Sequence, residues 1–338
     1  MSTTRRRSIL LAAVLSAAAL GASACGASAG ASGTTTLRYQ GWTGQVTPFE
    51  LAEDLGYLGE VKLKWVGNTI SGPQDIQSAA TGQTDFGGAF NGAVVKLKAA
   101  GAPLTPVIGY YGTDKETYTG FFVPEGSPVR GPRDLLGKKI GMNTLGGHSE
   151  AVLDLYLQRN GLTPDEVKRT EPLALPPVTT EQSLRQKQID AAALSGIFRD
   201  KALATGGLRP VFTDYEFLGS FTGGSYVFRN DFIKRDPETV RAFTAGVAKA
   251  IEWSRTTPRD QVIARFLQIV QKRKRNESPD ALKYWRSYGV AGKGGVIADK
   301  EFTTWIAWLE QVGQIPKGEV EVDGLYTNEF NPYAGSAQ

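Results

Sequence analysis

In the stretch GMNTLGGHSEAVL, residues 141–153, a histidine, a serine and a glutamate stand side by side where one apolar run gives way to another. The segment Gly147-His148-Ser149-Glu150-Ala151 is one residue short of the G-x-S-x-G elbow that exposes a nucleophilic serine between a strand and a helix. Such a serine needs a separate downstream histidine to take its proton, and an acid to hold that histidine. The chain has one histidine, His148, and it is the neighbour of Ser149. The triad therefore lacks its base, and a serine-lysine pairing stays open with nothing that points to it. One His and one Cys also exclude a His- or Cys-rich zinc cluster, a disulfide framework and a Cys/His dyad. No catalytic group, cofactor or metal is assigned; an enzyme working with carboxylates alone survives beside a non-enzymatic reading. In the non-enzymatic reading the turn is a backbone cradle. Gly146 and Gly147 expose N–H groups at a helix start, where a negative group gains roughly 0.3 to 2 kcal/mol. His148 and Ser149 then either add a hydrogen bond or only cap the helix.

The elements around this turn alternate. LRYQGW (37–42) reads as a strand, and Thr47-Pro48-Phe49-Glu50 supplies an N-cap, a proline at the first helical position and a capping-box glutamate, starting a helix that ends near Gly56. VKLKWVG (61–67) is a second strand, Ser71-Gly72-Pro73 opens a helix that closes at Gly82, DFGGAF (85–90) is a strand, 91–100 a helix and LTPVIGYY (104–111) a strand. TGFFVP (119–124) carries the chain into a second series. There RDLLG is a short helix, KKIGMN a strand, and the helix after the 143–149 turn precedes a strand over DEVKRTEPLAL (165–175). A helix at 180–187 and strands at 189–196 and 209–216 follow, and FTGGSYVFR (221–229) is extended. Asp236-Pro237-Glu238 begins a long helix with Val240, Phe243, Val247 and Ile251 on one stripe; helical patterns recur at 261–272, 278–288 and 299–312. Strand and helix joined by short loops signal crossover units on mostly parallel sheets. The helical tail returns to the first unit, which gives two lobes, two crossings and a cleft. Trp42, just past a strand and beside Gly41, either lines that cleft or packs at the surface. The Trp and Phe stripe of the last helix reads as core.

The first 24 residues read as an export signal, with a basic head at Arg5, Arg6 and Arg7 and an apolar stretch too short to span a membrane. Arg6-Arg7-Ser8-Ile9-Leu10 fits a twin-arginine signal and a plain basic head alike. Cys25 after Ala22-Ser23-Ala24 is similar to a lipoprotein box, and 25–36 makes a flexible tether, so a lipid on Cys25 would hold the chain on the outer face of the membrane. Loss of the signal leaves a net charge of about +1 out of the formal +4, which removes the electrostatic basis for nucleic-acid binding. The run Lys272-Arg273-Lys274-Arg275 reads as a solvated helix end. The mature chain, about 310 residues, is long enough for two lobes of ordinary size.

YQGW at 39, GPQDIQSAATGQTDFGGAF from 72, SPVRGPRDLLGKKIGMNTLGGHSEAVLDLYLQRNGL from 127, QKQIDAAALSG from 186 and the extended FTGGSYVFR carry a family resemblance over nearly all the mature chain. The chain resembles the solute-binding subunits of ABC importers, in the group that takes up aliphatic sulfonates, taurine, nitrate and thiamine precursors. The resemblance implies a two-lobed periplasmic-binding-protein type II fold: lobe I at 37–115 plus 228–338 and lobe II at 116–227, each a mixed, mostly parallel sheet flanked by helices. It implies a monomer that closes on one small molecule and hands it to a permease and its ATPase. It places the ligand at Gln40, Gly41 and Trp42; at Ala89, Phe90 and Asn91; at Asn143, Thr144, Gly146, Gly147, His148 and Ser149; and at Ser195, Gly196 and Phe198. Two departures count against a sulfonate. Leu145-Gly146-Gly147 replaces a serine-rich turn, and Ser195-Gly196-Ile197 replaces Trp-Asp-Pro. Glu150 in the first helical turn also complements the dipole. Trp42, Phe90 and Phe198 fit a ligand with a sizeable, aromatic body. An enzyme of the pyrimidine-precursor type, or a sensor domain, is the alternative on the same fold.

Overall fold

The computed structural model describes residues 35–335. The expected export signal, Cys25 and all but the end of the expected tether lie outside the described residues.

The first series forms where its local signals place it: β1 (Thr36–Gly41), α1 (Pro48–Asp54), β2 (Lys62–Asn68), α2 (Gly72–Ala80), β3 (Phe86–Phe90), α3 (Asn91–Ala99) and β4 (Leu104–Thr113). At the start of α1 the amide and hydroxyl of Thr47 both donate to the Glu50 carboxylate, at 3.1 and 3.0 Å. β1 and β2 pair in parallel. Asp85 then ties β1 to the start of β3, accepting from the Arg38 amide at 2.7 Å and donating its own amide to Arg38 O at 3.0 Å.

The second series is β5 (Thr119–Pro124), β6 (Lys139–Met142), α4 (His148–Arg159), α5 (Pro164–Val167), β7 (Glu171–Ala174), α6 (Pro177–Arg185), β8 (Ala191–Ser195), α7 (Gly196–Thr205), β9 (Leu208–Thr213) and α8 (Asp214–Leu218). Its strands lie in the order β7-β6-β8-β5-β9. β10 (Phe221–Arg229) returns between β3 and β4, and α9 (Asn230–Arg235), α10 (Pro237–Thr256), α11 (Arg259–Arg273) and α12 (Lys300–Gln311) complete the chain.

The expected class, mixed sheets flanked by helices, stands. The balance of strand directions differs from a mostly parallel one, because four ladders are antiparallel and three parallel. Both connections between the sheets run at the ends where strands finish. β4 ends at Thr113 opposite Phe221, the first residue of β10, and β8 ends at Ser195 opposite Thr119, the first residue of β5. A strand that starts there has to run against its neighbours.

Other differences have local causes. Thr163 caps α5 by accepting from the Glu166 amide, so only the second half of 165–175 is a strand. Thr213 does the same for α8 through Glu216, which ends β9 earlier than the expected 216. α7 and α9 carry no expectation from the sequence. The helix expected over 278–288 is absent apart from a 3-10 turn at Leu282–Tyr284. Carbonyls of this strap are taken instead by Arg259, whose Nε and Nη2 donate to Trp285 O at 2.6 Å and Lys283 O at 2.7 Å.

The core has two large parts. In one, Phe49, Phe86, Tyr226 and Phe243 pack ring on ring, with centroids 4.6 to 6.3 Å apart. In the other, α12 sits against α3 and α4 with Trp305 and Trp308 buried, as the stripe predicts. The Trp308 indole donates to Asp154 Oδ2 of α4 at 3.3 Å. Among the described residues no helix is long and apolar enough to cross a membrane.

Candidate functional site

A cavity of about 260 Å³ opens where the strands of both larger sheets end. One side is built by Trp42 and Gln45 after β1, Ala89 and Phe90 at the end of β3, and Tyr110 and Tyr111 at the end of β4. The facing side is Asn143, Thr144, Gly147 and His148 before and at the start of α4, with Ser195 and Phe198 at the β8–α7 junction. Thr117 to Thr119 on the way into β5, and the strap after α11, close it.

The turn before α4 sets the serine and the histidine in separate surroundings. Gly146 adopts φ +68°, a left-handed conformation that favours glycine, and its amide donates to the Glu150 carboxylate at 2.5 Å. One donor of the helix start is thus satisfied from within the turn, and the negative charge that a guest would bring is already there. Gly147 is the extended N-cap of α4. The His148 ring lies parallel to Phe90 (centroids 5.5 Å, 15°) and edge-on to Phe221 (5.5 Å, 85°). Its Nε2 stands 3.3 Å from Asp214 Oδ2, while Ser149 is buried beside it. Among the described residues no hydrogen bond joins His148 to Ser149.

Asp214 has no solvent exposure and, from the connection between β9 and β10, holds both ends of the connection between β4 and β5. Its Oδ2 accepts from the Thr113 hydroxyl at 2.8 Å and its Oδ1 from the Thr119 amide at 3.0 Å. Burial, with the Asp214 charge behind it, pushes the Tyr111 phenol well above its ordinary range. Burial likewise raises Asp75, under β3, to about 7, against the one amide, Gly88, that donates to it at 2.8 Å.

Of the fifteen expected positions, eleven line the cavity: Trp42; Ala89 and Phe90; Asn143, Thr144, Gly147, His148 and Ser149; and Ser195, Gly196 and Phe198. Four do not. Gln40 is half-buried on β1, and a Cβ at Gly41 would stand 2.5 Å from the Arg275 guanidinium. Asn91 is turned into the core, where its amide donates to Glu301 O at 3.1 Å and its carbonyl accepts from the Ser225 hydroxyl at 2.8 Å. Gly146 shapes the turn from outside the wall.

The expected positions do not include Tyr110 and Tyr111, although an aromatic residue at the end of a strand is the signal that singled out Trp42. They also omit the strap, which brings Leu282, Trp285, Arg286, Ser287 and Tyr288 to the wall. The basic run 272–275 is corrected as well. The side chains of Arg273 and Arg275 are only 8% and 7% exposed, and both donate to Glu50 Oε1, at 3.0 and 2.9 Å. Arg273 also donates to Glu277 and to Gln45 O (2.7 Å), and Glu277 accepts from the Gly44 amide at 2.6 Å. The end of α11 therefore fastens the loop that carries Trp42 and Gln45. Among the described residues no cluster of three or more His, Cys, Asp or Glu is placed to hold a metal ion.

The profile of a family described as "NMT1/THI5 like" matches residues 43–261. An aliphatic sulfonates-binding protein of Escherichia coli (strain K12) is 28% identical over 207 residues, 61% of each chain; the chain thus spans about three fifths of that relative's length. The alkanesulfonate-binding protein SsuA from Xanthomonas axonopodis pv. citri, solved bound to MOPS, has a TM-score of 0.67 at 22% identity, covering 88% of this chain and 99% of that one. The desulfurization enzyme DSZB has a TM-score of 0.56 at 15% identity, covering 88% and 97%. At these identities the structural likenesses show a shared fold.

Proposed function

The chain belongs to the NMT1/THI5-like family, and from that premise we propose that it is the extracytoplasmic solute-binding subunit of an ABC importer, a lipoprotein anchored through Cys25. Lobe I (37–115 and 228–338) and lobe II (116–227) close by hinge motion on one small organic solute, sulfonate-like or aromatic, and the permease and its ATPase take it up unaltered. The observation that carries this reading is the cavity wall. It has eight aromatic side chains, hydroxyls and amides for orientation, and, among the described residues, no aspartate, glutamate or lysine. That suits holding a guest by stacking and a few hydrogen bonds. Asp214, which sits in the second connection and accepts from both ends of the first, supports a hinge at this point.

An enzyme on the same fold is the second reading, favoured by the 3.3 Å contact of His148 with Asp214. Against it stands Ser149, which has no hydrogen bond to that imidazole.

The test is a thermal-shift screen of sulfonates, nitrate, thiamine precursors and aromatic acids, since a ligand at a hundred times its Kd adds about 2.7 kcal/mol of stability. One class should raise Tm and be recovered with unchanged mass after long incubation. A product of altered mass sinks the receptor reading in favour of the enzyme.

A further inference from the structure

Apart from Trp42, the strap between Arg273 and Gly289 is the part of the cavity wall that family membership does not describe, since the match covers residues 43–261. It is fastened on both sides of Arg286. Arg259 holds Lys283 O and Trp285 O, the Gly112 amide donates to Tyr288 O at 2.9 Å, and the Ser287 hydroxyl donates to Asp114 Oδ2 at 2.6 Å. Beyond its end, Arg255 Nη2 holds Val290 O at 2.7 Å.

Arg286 is the exception within this fastened segment. Among the described residues it is the one Lys, Arg, Asp or Glu on the cavity wall. Its side chain is 47% exposed and meets carboxylates only at 3.4 Å (Glu116 Oε2) and 3.5 Å (Asp200 Oδ2), one oxygen each. The other Asp200 oxygen belongs to the buried Arg199, at 2.6 and 2.9 Å. The Glu116 contact, long and exposed on both sides, is weak and readily exchanged, whereas Asp200 is buried and its Oδ2 faces the Arg286 Nε at 3.5 Å without a hydrogen bond. A fixed backbone thus presents a guanidinium whose Nη2 has no hydrogen bond among the described residues and whose Nη1 is held only by the exposed Glu116.

The other place for a negative group is the start of α4, and it is compromised. Glu150 already occupies the Gly146 amide and puts a carboxylate there. A tetrahedral anion that needs several convergent donors loses that turn, whereas a planar carboxylate needs only a planar fork.

We propose that Arg286 is the specificity-determining residue of the cleft and that it selects a carboxylate, received by the guanidinium through two parallel N–H···O bonds, with the body of the solute against the aromatic walls. The proposal rests on the solute-binding reading and adds to it the class of solute and the end at which its charge is held.

The experiment titrates the mature chain by calorimetry and thermal shift with matched probes: benzoate against benzamide, hexanoate against hexanamide, and benzenesulfonate as the tetrahedral anion. Each carboxylate should bind about tenfold or more tighter than its amide, and benzoate tighter than benzenesulfonate. Arg286→Gln should erase the gap between acid and amide, and Arg286→Lys should restore part of it, because an ammonium keeps the charge without the fork. A gap that survives in Arg286→Gln, or amides or the sulfonate bound as well as the carboxylates, overturns the proposal and leaves the solute-binding reading intact. Silence from every probe at millimolar concentration also overturns it, and the broader screen then decides the solute-binding reading by itself.

Discussion

The imidazole Nε2 of His148 lies 3.3 Å from Oδ2 of Asp214, a carboxylate with no exposure to solvent. The same carboxylate accepts from Thr113, the last residue of β4, and from Thr119, the first of β5, and it begins α8, which leads into β10. A side chain of the cavity floor is thereby in contact with the group that joins both connections between the sheets. The cavity wall and the connections meet at one residue.

Replacing that residue should be costly. Asp214→Ala leaves the Thr113 hydroxyl and the Thr119 amide buried without acceptors, and the expected loss is about 2–5 kcal/mol. Asp214→Asn keeps one acceptor oxygen and should lose less. Urea unfolding of both variants measures this; a loss below about 1 kcal/mol for the alanine variant would show that Asp214 does not hold the connections.

Trp42→Ala tests the aromatic wall. If the guest stacks on the indole, affinity for the solute that the screen identifies falls by about 1–3 kcal/mol, the range for stacking on an aromatic side chain. Calorimetry on the folded variant reads this directly, and an unchanged Kd returns Trp42 to surface packing.

The loop that carries Trp42 depends on Glu277, more than 230 residues away in sequence. Glu277→Ala removes the acceptor of the Gly44 amide and one partner of the buried Arg273, which should cost about 1–3 kcal/mol. The decisive readout is local: acrylamide quenching of Trp42 fluorescence, taken as the difference from the matching Trp42→Phe protein, should increase in the folded variant. A lower Tm with unaltered quenching would mean that Glu277 stabilises the fold without positioning the wall.

What the sequence disclosed was what it encodes locally. Thr47-Pro48-Phe49-Glu50 contains every partner of its own cap, and the glycine turn at 146–147 announces a helix start wherever it is placed. The strap after α11 was illegible because its carbonyls at Lys283 and Trp285 are held by Arg259, at the start of a helix that a helical periodicity over 278–288 does not mention. Arg273 and Arg275 read as solvated because their partner, Glu50, lies more than 220 residues earlier. Asn91 follows directly on Phe90, yet the start of α3 turns its amide to Glu301 and Ser225 and away from the cavity. Local signals placed the ends of strands; long-range pairing decided which side chain at each end faces the cavity.

Asp154 gives the protein a pH dependence with a definite sign. On α4, under Trp308, burial lifts its carboxyl from 3.8 to about 7; the nearby Glu150 charge adds to this and the hydrogen bond from the Trp308 indole opposes it. A carboxyl whose pKa is higher folded than unfolded binds more protons in the folded state. Its contribution is fully present below about pH 4 and is lost as the pH rises through about 7. At pH 8 the chain therefore carries a buried, poorly solvated charge between α4 and α12. Asp154→Asn removes the charge and keeps an acceptor for the indole, so it should be more stable than the parent at pH 8, by about 1–3 kcal/mol, and no more stable at pH 4. Asp75, also raised to about 7, and Glu301 and Glu53, raised by burial, remain in this variant, so some loss of stability as the pH rises should persist, and should shrink when Asp75 too is replaced by asparagine. Urea unfolding at pH 4, 6 and 8 checks both statements. If Asp154→Asn shifts all three midpoints equally, the carboxyl does not titrate in this window, and the contact with Trp308 is a hydrogen bond of constant charge.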